Sequence, residues 1–139
     1  MIDFCSLCTM TLKKLQAQPY FTRFKLLNAF EPFQKPTVPE KPAIVCGISQ
    51  VQAQTAALGG DVTAGSVTLF ADIYAPFTLR DFDFQQAAGN IFKCLCTDTP
   101  VSIGADQIRA DDDAECFVMR LTITFHDELK LVNNDTVIL

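Results

Sequence analysis

Six cysteines, a single histidine and a run of aspartates are the residues here whose types and spacing could do chemistry. Cys5 and Cys8 enclose CSLC, the spacing of a metal or redox pair, and Cys94 and Cys96 could complete four zinc ligands. Two features count against zinc. Cys8 shares a helical repeat with Phe4, Leu12 and Leu15, and Cys96 follows Leu95 at the end of a second apolar stripe. A C-x-C pair at a helix end also chelates one ion poorly. Free cysteine commonly serves as a small buried hydrophobe, and that is the reading the spacing favours. A thioredoxin-type pair should follow a strand inside a βαβ unit, whereas Cys5 stands at the very start of the sequence. A thiolate nucleophile needs a base. His126 is followed by Asp127 and Glu128, which reads as a strand running out into solvent. Asp111, Asp112 and Asp113 are contiguous and lack the spaced ligands and central glycine of a calcium loop, so they read as a solvated turn. No phosphate-binding glycine motif, nucleophile elbow or paired-histidine motif occurs, and Gly59-Gly60 is isolated. The expectation is a non-enzymatic chain with no catalytic, cofactor-binding or metal-ligating residues.

The elements that position these residues centre on Gly65 to Cys96. In GSVTLFADIYAP, Val67, Leu69, Ala71, Ile73 and Ala75 alternate with Thr68, Phe70, Asp72 and Tyr74. Pro76 stops the ladder, having no N–H to donate. Asp81 is a plausible cap for a helix whose apolar stripe is Phe84, Ala88, Ile91, Phe92 and Leu95, with Asp83, Gln86, Asn90 and Lys93 on the wet side. Upstream, residues 3–16 read as a helix capped by Asp3 and ended before Pro19. The aromatic, branched stretch Tyr20 to Phe30 reads as a strand. EPFQKPTVPEKP reads as an extended crossing. Ala43 to Gln54 reads as a strand in which Gly47 marks a bulge or a close backbone approach. Thr55 to Ala64 reads as a long hairpin loop. Downstream, Val101 to Ala110 and Glu115 to His126 read as strands. In the second, Phe117, Met119, Leu121, Ile123 and Phe125 point one way and Cys116, Val118, Arg120, Thr122 and Thr124 the other. The closing NNDTVIL reads as a loose tail, covering roughly residues 130–139. The order is α-β-β-β-α-β-β, an α+β fold with two helices on one face of a mostly antiparallel sheet.

At 139 residues and 49% hydrophobic content, the chain is expected to form one domain, residues 1–139, with a sizeable core. A net charge of −5 argues against a nucleic-acid groove lined with Lys and Arg. The charge is unevenly spread: residues 1–41 hold six basic and three acidic side chains, and residues 106–139 hold three basic and eight acidic. The uncharged stretch Pro42 to Gly60 is too rich in Gln, Ser, Thr and Gly for a membrane span. No secretory pattern opens the sequence, and six cysteines without one imply reduced thiols.

This layout resembles the tail terminator, or tail completion, family of long-tailed bacteriophages and prophages. The resemblance rests on KPAIVCGISQVQAQ with the Gly-bearing loop after it, a strand ending DIYAP, a helix containing IFKCL and a final strand FVMRLTITF. It covers most of residues 1–130 and speaks to a fold rather than to a chemical site. It implies a structural protein that forms a homo-oligomeric ring, commonly of six subunits. Such a ring caps the tail tube, ends tail polymerisation and helps join head to tail. The implied partners are the tail tube protein and head–tail connector proteins. The implied location is the virion tail, with the bacterial cytoplasm as the place of assembly. The candidate contact residues are Leu58, Gly59, Gly60, Asp61 and Val62 in the hairpin loop, with Lys13 and Lys14 on the first helix. A phage neck connector is the nearest alternative, and a thiol- or metal-dependent enzyme a more distant one.

Overall fold

The computed structural model describes residues 4–29, 41–55, 62–95 and 101–130. Helix α1 spans Phe4–Gln16. Its periodicity does what it predicts: Cys8 and Leu15 are buried and Leu12 packs at their margin. Asp3, the expected cap, lies outside the described residues.

The stretch expected to be a strand from Tyr20 divides instead. Pro19–Arg23 forms a 3-10 helix, and only Lys25–Asn28 is strand, β1. Pro19 at the first helical position presets the turn. The tight turn brings the Phe21 and Phe24 rings within 5.4 Å, and Tyr20 packs 4.9 Å from Phe21. Ring packing outweighs the strand preference of the same residues.

Strand β2 (Ala43–Thr55) pairs in parallel with β1 and antiparallel with β3 (Val62–Pro76). The β2–β3 register shifts between Ile48 and Gln50, leaving Ser49 as the extra residue. The shift keeps both Ile48 and Val51 on the side that packs against Val67. The expected hairpin loop is shorter than its composition suggests. Thr55 pairs with Thr63 and Gln54 with Ala64, so only 56–61, outside the described residues, remains between the strands. On β3 the predicted inward set, Val67, Leu69, Ala71, Ile73 and Ala75, is buried throughout.

Helix α2 spans Phe84–Leu95, and its cap is Asp83 rather than Asp81. Asp83 Oδ1 accepts from the Gln86 N–H at 3.0 Å, and its carbonyl accepts from Ala87 N–H. The Phe82 ring decides the offset, being held between Phe84 at 4.9 Å and Phe24 at 5.9 Å. Ala87 joins Phe84, Ala88, Ile91 and Leu95 in the buried stripe.

The expected strand Val101 to Ala110 is broken into β4 (Val101–Ala105) and β5 (Arg109–Asp111). Both pair antiparallel with one side of β6 (Cys116–Lys130). Ala105 opposes Leu121 and Arg109 opposes Val118, so the edge strand carries one residue more than β6 across the gap. That is a bulge. The sheet order is β1-β2-β3-β6-β4, with β5 also on β6. Among the described strands, only the β1–β2 pair is parallel. Both helices contribute to one apolar cluster with Ile44, Leu69, Ile73, Leu121 and Ile123, giving the expected α+β sandwich.

On β6, Leu121 and Ile123 are fully buried as predicted, but Phe117 is 42% exposed. Its ring meets Phe77, centroids 4.8 Å apart, at the rim of the core. Cys116 and Val118, on the opposite face, are buried as well. β6 also continues past His126 to Lys130, pairing there with Val62. NNDTVIL beyond it lies outside the described residues. At ~3.3 Å per residue β3 and β6 run roughly 50 Å, whereas α1 covers roughly 20 Å at 1.5 Å per residue. The sheet therefore outruns its helical layer.

Candidate functional site

Among the described residues, Cys8 and Cys46 lie near each other, while Cys94, Cys116 and His126 stand apart on α2 and at opposite ends of β6. Cys8, Cys46 and Cys116 are buried, Cys94 is half-buried, and all four are free. Burial pushes the Cys46 thiol up to about 12, with Cys8 and then Asp72 adding to it. Burial likewise raises Cys8. Cys94 rises by burial against the opposing charge of Lys14, and its Sγ donates to the Lys14 carbonyl at 3.5 Å. Cys116 rises by burial, then through Asp111 and Glu115, and donates to the Ala114 carbonyl at 3.3 Å. Each shift stabilises the thiol over the thiolate, which works against nucleophile and ligand alike. Among the described residues, no three His, Cys, Asp or Glu side chains converge to hold a metal ion. The side chains of Cys5 and Cys96 lie outside the description. A chelator is accordingly expected to leave the melting temperature unchanged and native mass spectrometry to show no bound metal. Stoichiometric zinc would overturn the structural reading of these thiols.

His126 is exposed and opposes Ser66 in the ladder. The aspartate run forms the expected turn. Asp111 Oδ1 accepts from the Ala114 N–H at 3.2 Å, the Asp112 carbonyl accepts from the Glu115 N–H, and Glu115 takes the left-handed φ of 51°.

Geometry gathers other residues that spacing did not flag. On the helix-free face, Arg120 of β6 opposes Asp72 of β3. Its Nε donates to Asp72 Oδ1 at 2.7 Å and its Nη2 to Oδ2 at 2.9 Å, a bidentate fork. Asp72 is 4% exposed, so its charge is buried and answered by this one guanidinium. The hydrogen bond to Asp72 raises the Arg120 pKa further, against the opposing effect of its own burial. The guanidinium also lies 4.3 Å from the centre of the Phe70 ring. That ring covers Gly47, where a Cβ would fall 2.4 Å from Phe70 Cζ. Gly47 therefore marks a close approach, with the bulge two residues further on. Beside this stack Thr68 and Thr124 share a hydrogen bond of 3.0 Å.

A second assembly is apolar and open. Phe77, Leu79, Phe82, Phe84, Ile108 and Phe117 line a groove of about 490 Å³, with Arg80 at its margin. Leu79 and Ile108 are exposed there along with Phe117, and Ile103 is exposed on the neighbouring edge strand. The break between β4 and β5 is what turns Ile108 to this groove. No sequence period announces that break.

Of the predicted contact residues, Lys13 and Lys14 are exposed in the last turn of α1. Val62 opens β3 and pairs with Lys130. Leu58, Gly59, Gly60 and Asp61 lie outside the described residues. No helix of the described residues is long and apolar enough to cross a membrane. In comparison with known proteins, no family model and no curated protein matches the chain.

Proposed function

We propose that the chain is a structural subunit of a phage or prophage tail, a tail terminator that assembles as a homo-oligomeric ring on the end of the tail tube. The observation that carries this reading is the element order, two helices on one face of a sheet built around long strands β2, β3 and β6. This is the layout the sequence resemblance implies. Burial raises the thiol pKa values of Cys8, Cys46, Cys94 and Cys116, which suits these cysteines to a packing role. In this reading the ring, commonly a hexamer, ends tail polymerisation and presents a docking surface to head–tail connector proteins. It works in the virion tail after assembly in the bacterial cytoplasm.

Sedimentation of the pure chain across concentration, alone and with tail tubes, tests the ring. A closed oligomer is expected at high concentration or on the tube. A strict monomer in every condition would rule the ring out. A ring that binds connectors and ignores the tube would instead make this a neck protein.

A further inference from the structure

The two outer edges of the sheet are unlike in charge. One flank is built by α1, the 3-10 helix and β1. Its charged residues within 4–29, Lys13, Lys14, Arg23 and Lys25, are all basic and all exposed. The other flank is the β4–β5 edge and the turn after it. There Asp106, Asp112, Asp113 and Glu115 are exposed and Asp111 is half-buried, against the single exposed base Arg109. Because β1 and β4 end the strand order, Arg23 and Lys25 lie by one edge of the sheet and the acidic set by the other, with Lys13 and Lys14 on α1, where the Lys14 carbonyl meets Cys94 of α2.

Among the described residues, the acidic edge is also poorly defended. Natural edge strands discourage pairing with charges, proline or a covering element. Val101–Ala105 has no charge and no proline, and it leaves Ile103 52% exposed. Ile108, exposed at 48%, continues the apolar margin into the groove beside Phe117. Exposed apolar surface ringed by charge marks contact sites more often than chance. The basic flank offers a receiver. Leu12, Gln16, Phe21, Thr22, Phe24 and Leu26 line a groove of about 530 Å³ between α1, the 3-10 helix and β1.

We propose that the β4–β5 edge of one copy of this chain docks on the α1–β1 flank of the next. Ile103 and Ile108 face the Leu12–Leu26 groove, and Asp106 and Asp113 face Lys13, Lys14 and Arg23. The proposal rests on the ring reading above and names its surfaces. Since the two patches lie on opposite edges, the contact is head-to-tail and closes only if its rotation divides a full turn. Ile103 and Ile108 bring apolar surface to a groove of mixed polar and apolar lining, while the charges set register and encounter rate.

The test uses the full chain and four variants, all at exposed positions, with thermal melts confirming that each folds. Ile103→Lys places a charge on the unprotected edge and opposite a basic flank. It is expected to lower self-association at least ~10-fold, because like-charge juxtaposition is strongly unfavourable at an interface. Asp106→Lys with Asp113→Lys, and separately Lys13→Glu with Arg23→Glu, should each weaken assembly. The four changes combined restore opposite charge across the same contact and should recover most of it. Sedimentation velocity reads all four. A ring that forms equally well in every variant would place the contact elsewhere and leave the ring reading standing. A chain that stays monomeric in every form, tail tubes included, would overturn both.

Discussion

Leu121→Ala is expected to destabilise the fold by about 2–5 kcal/mol, the range for large-to-small changes at buried sites. Leu121 is fully buried in the middle of β6, and its cross-strand neighbours are Ala71 on β3 and Ala105 on β4. Two alanines beside it are too small to close the gap by rotamer changes, so the cavity should persist. For a chain of 139 residues, a loss in that range lowers the melting temperature by roughly 10 °C. Denaturant unfolding measures the effect directly, through a shift in midpoint at unchanged slope. A loss under about 0.5 kcal/mol, the size typical of surface positions, would contradict the burial of this strand.

Arg120→Ala is expected to cost about 2–4 kcal/mol. Removing one partner of a buried ion pair leaves the other charge uncompensated, at about 3–5 kcal/mol when both are buried. Here Asp72 is buried while the Arg120 side chain is 39% exposed, so water reaches one end and the expected loss is smaller. The Phe70 ring loses its cation in the same step. The double change Asp72→Leu with Arg120→Met removes both charges together, and should lose far less than Arg120→Ala alone. Urea unfolding of the two variants separates the cases. If they are equally destabilised, the pair is not what holds this face.

These two residues were unequally legible. Leu121 is visible in the sequence because β6 alternates cleanly, and the same period exposes the buried set of β3 and the stripe of α2. Alternation also places Asp72 and Arg120 on outward faces. It cannot say that they oppose each other, because that depends on the β3–β6 register. Gly47 was readable as a close approach, though not that the Phe70 ring makes it. The aromatic stretch after Pro19 misleads because tertiary ring packing, Phe24 on Phe82 included, overrides local strand preference. Asp81 and Asp83 are both reasonable caps on composition, and the seating of Phe82 between Phe24 and Phe84 chooses the second. The exposure of Phe117 and Ile108 follows from where α2 begins and where the edge strand bulges, and the bulge has no local signature. The apolar edge was therefore missed, while the basic start and acidic end were plain in the charge counts. What the fold adds is the placement of Arg23 and Lys25 by one edge of the sheet and of the acidic set by the other.

The reading as a tail terminator is tested most directly by electron microscopy of tail tubes polymerised with and without the purified chain. Tubes of limited length are expected in its presence, each bearing a ring of this protein at one end. Tubes that grow to the same lengths with and without it, their ends bare, would contradict the account.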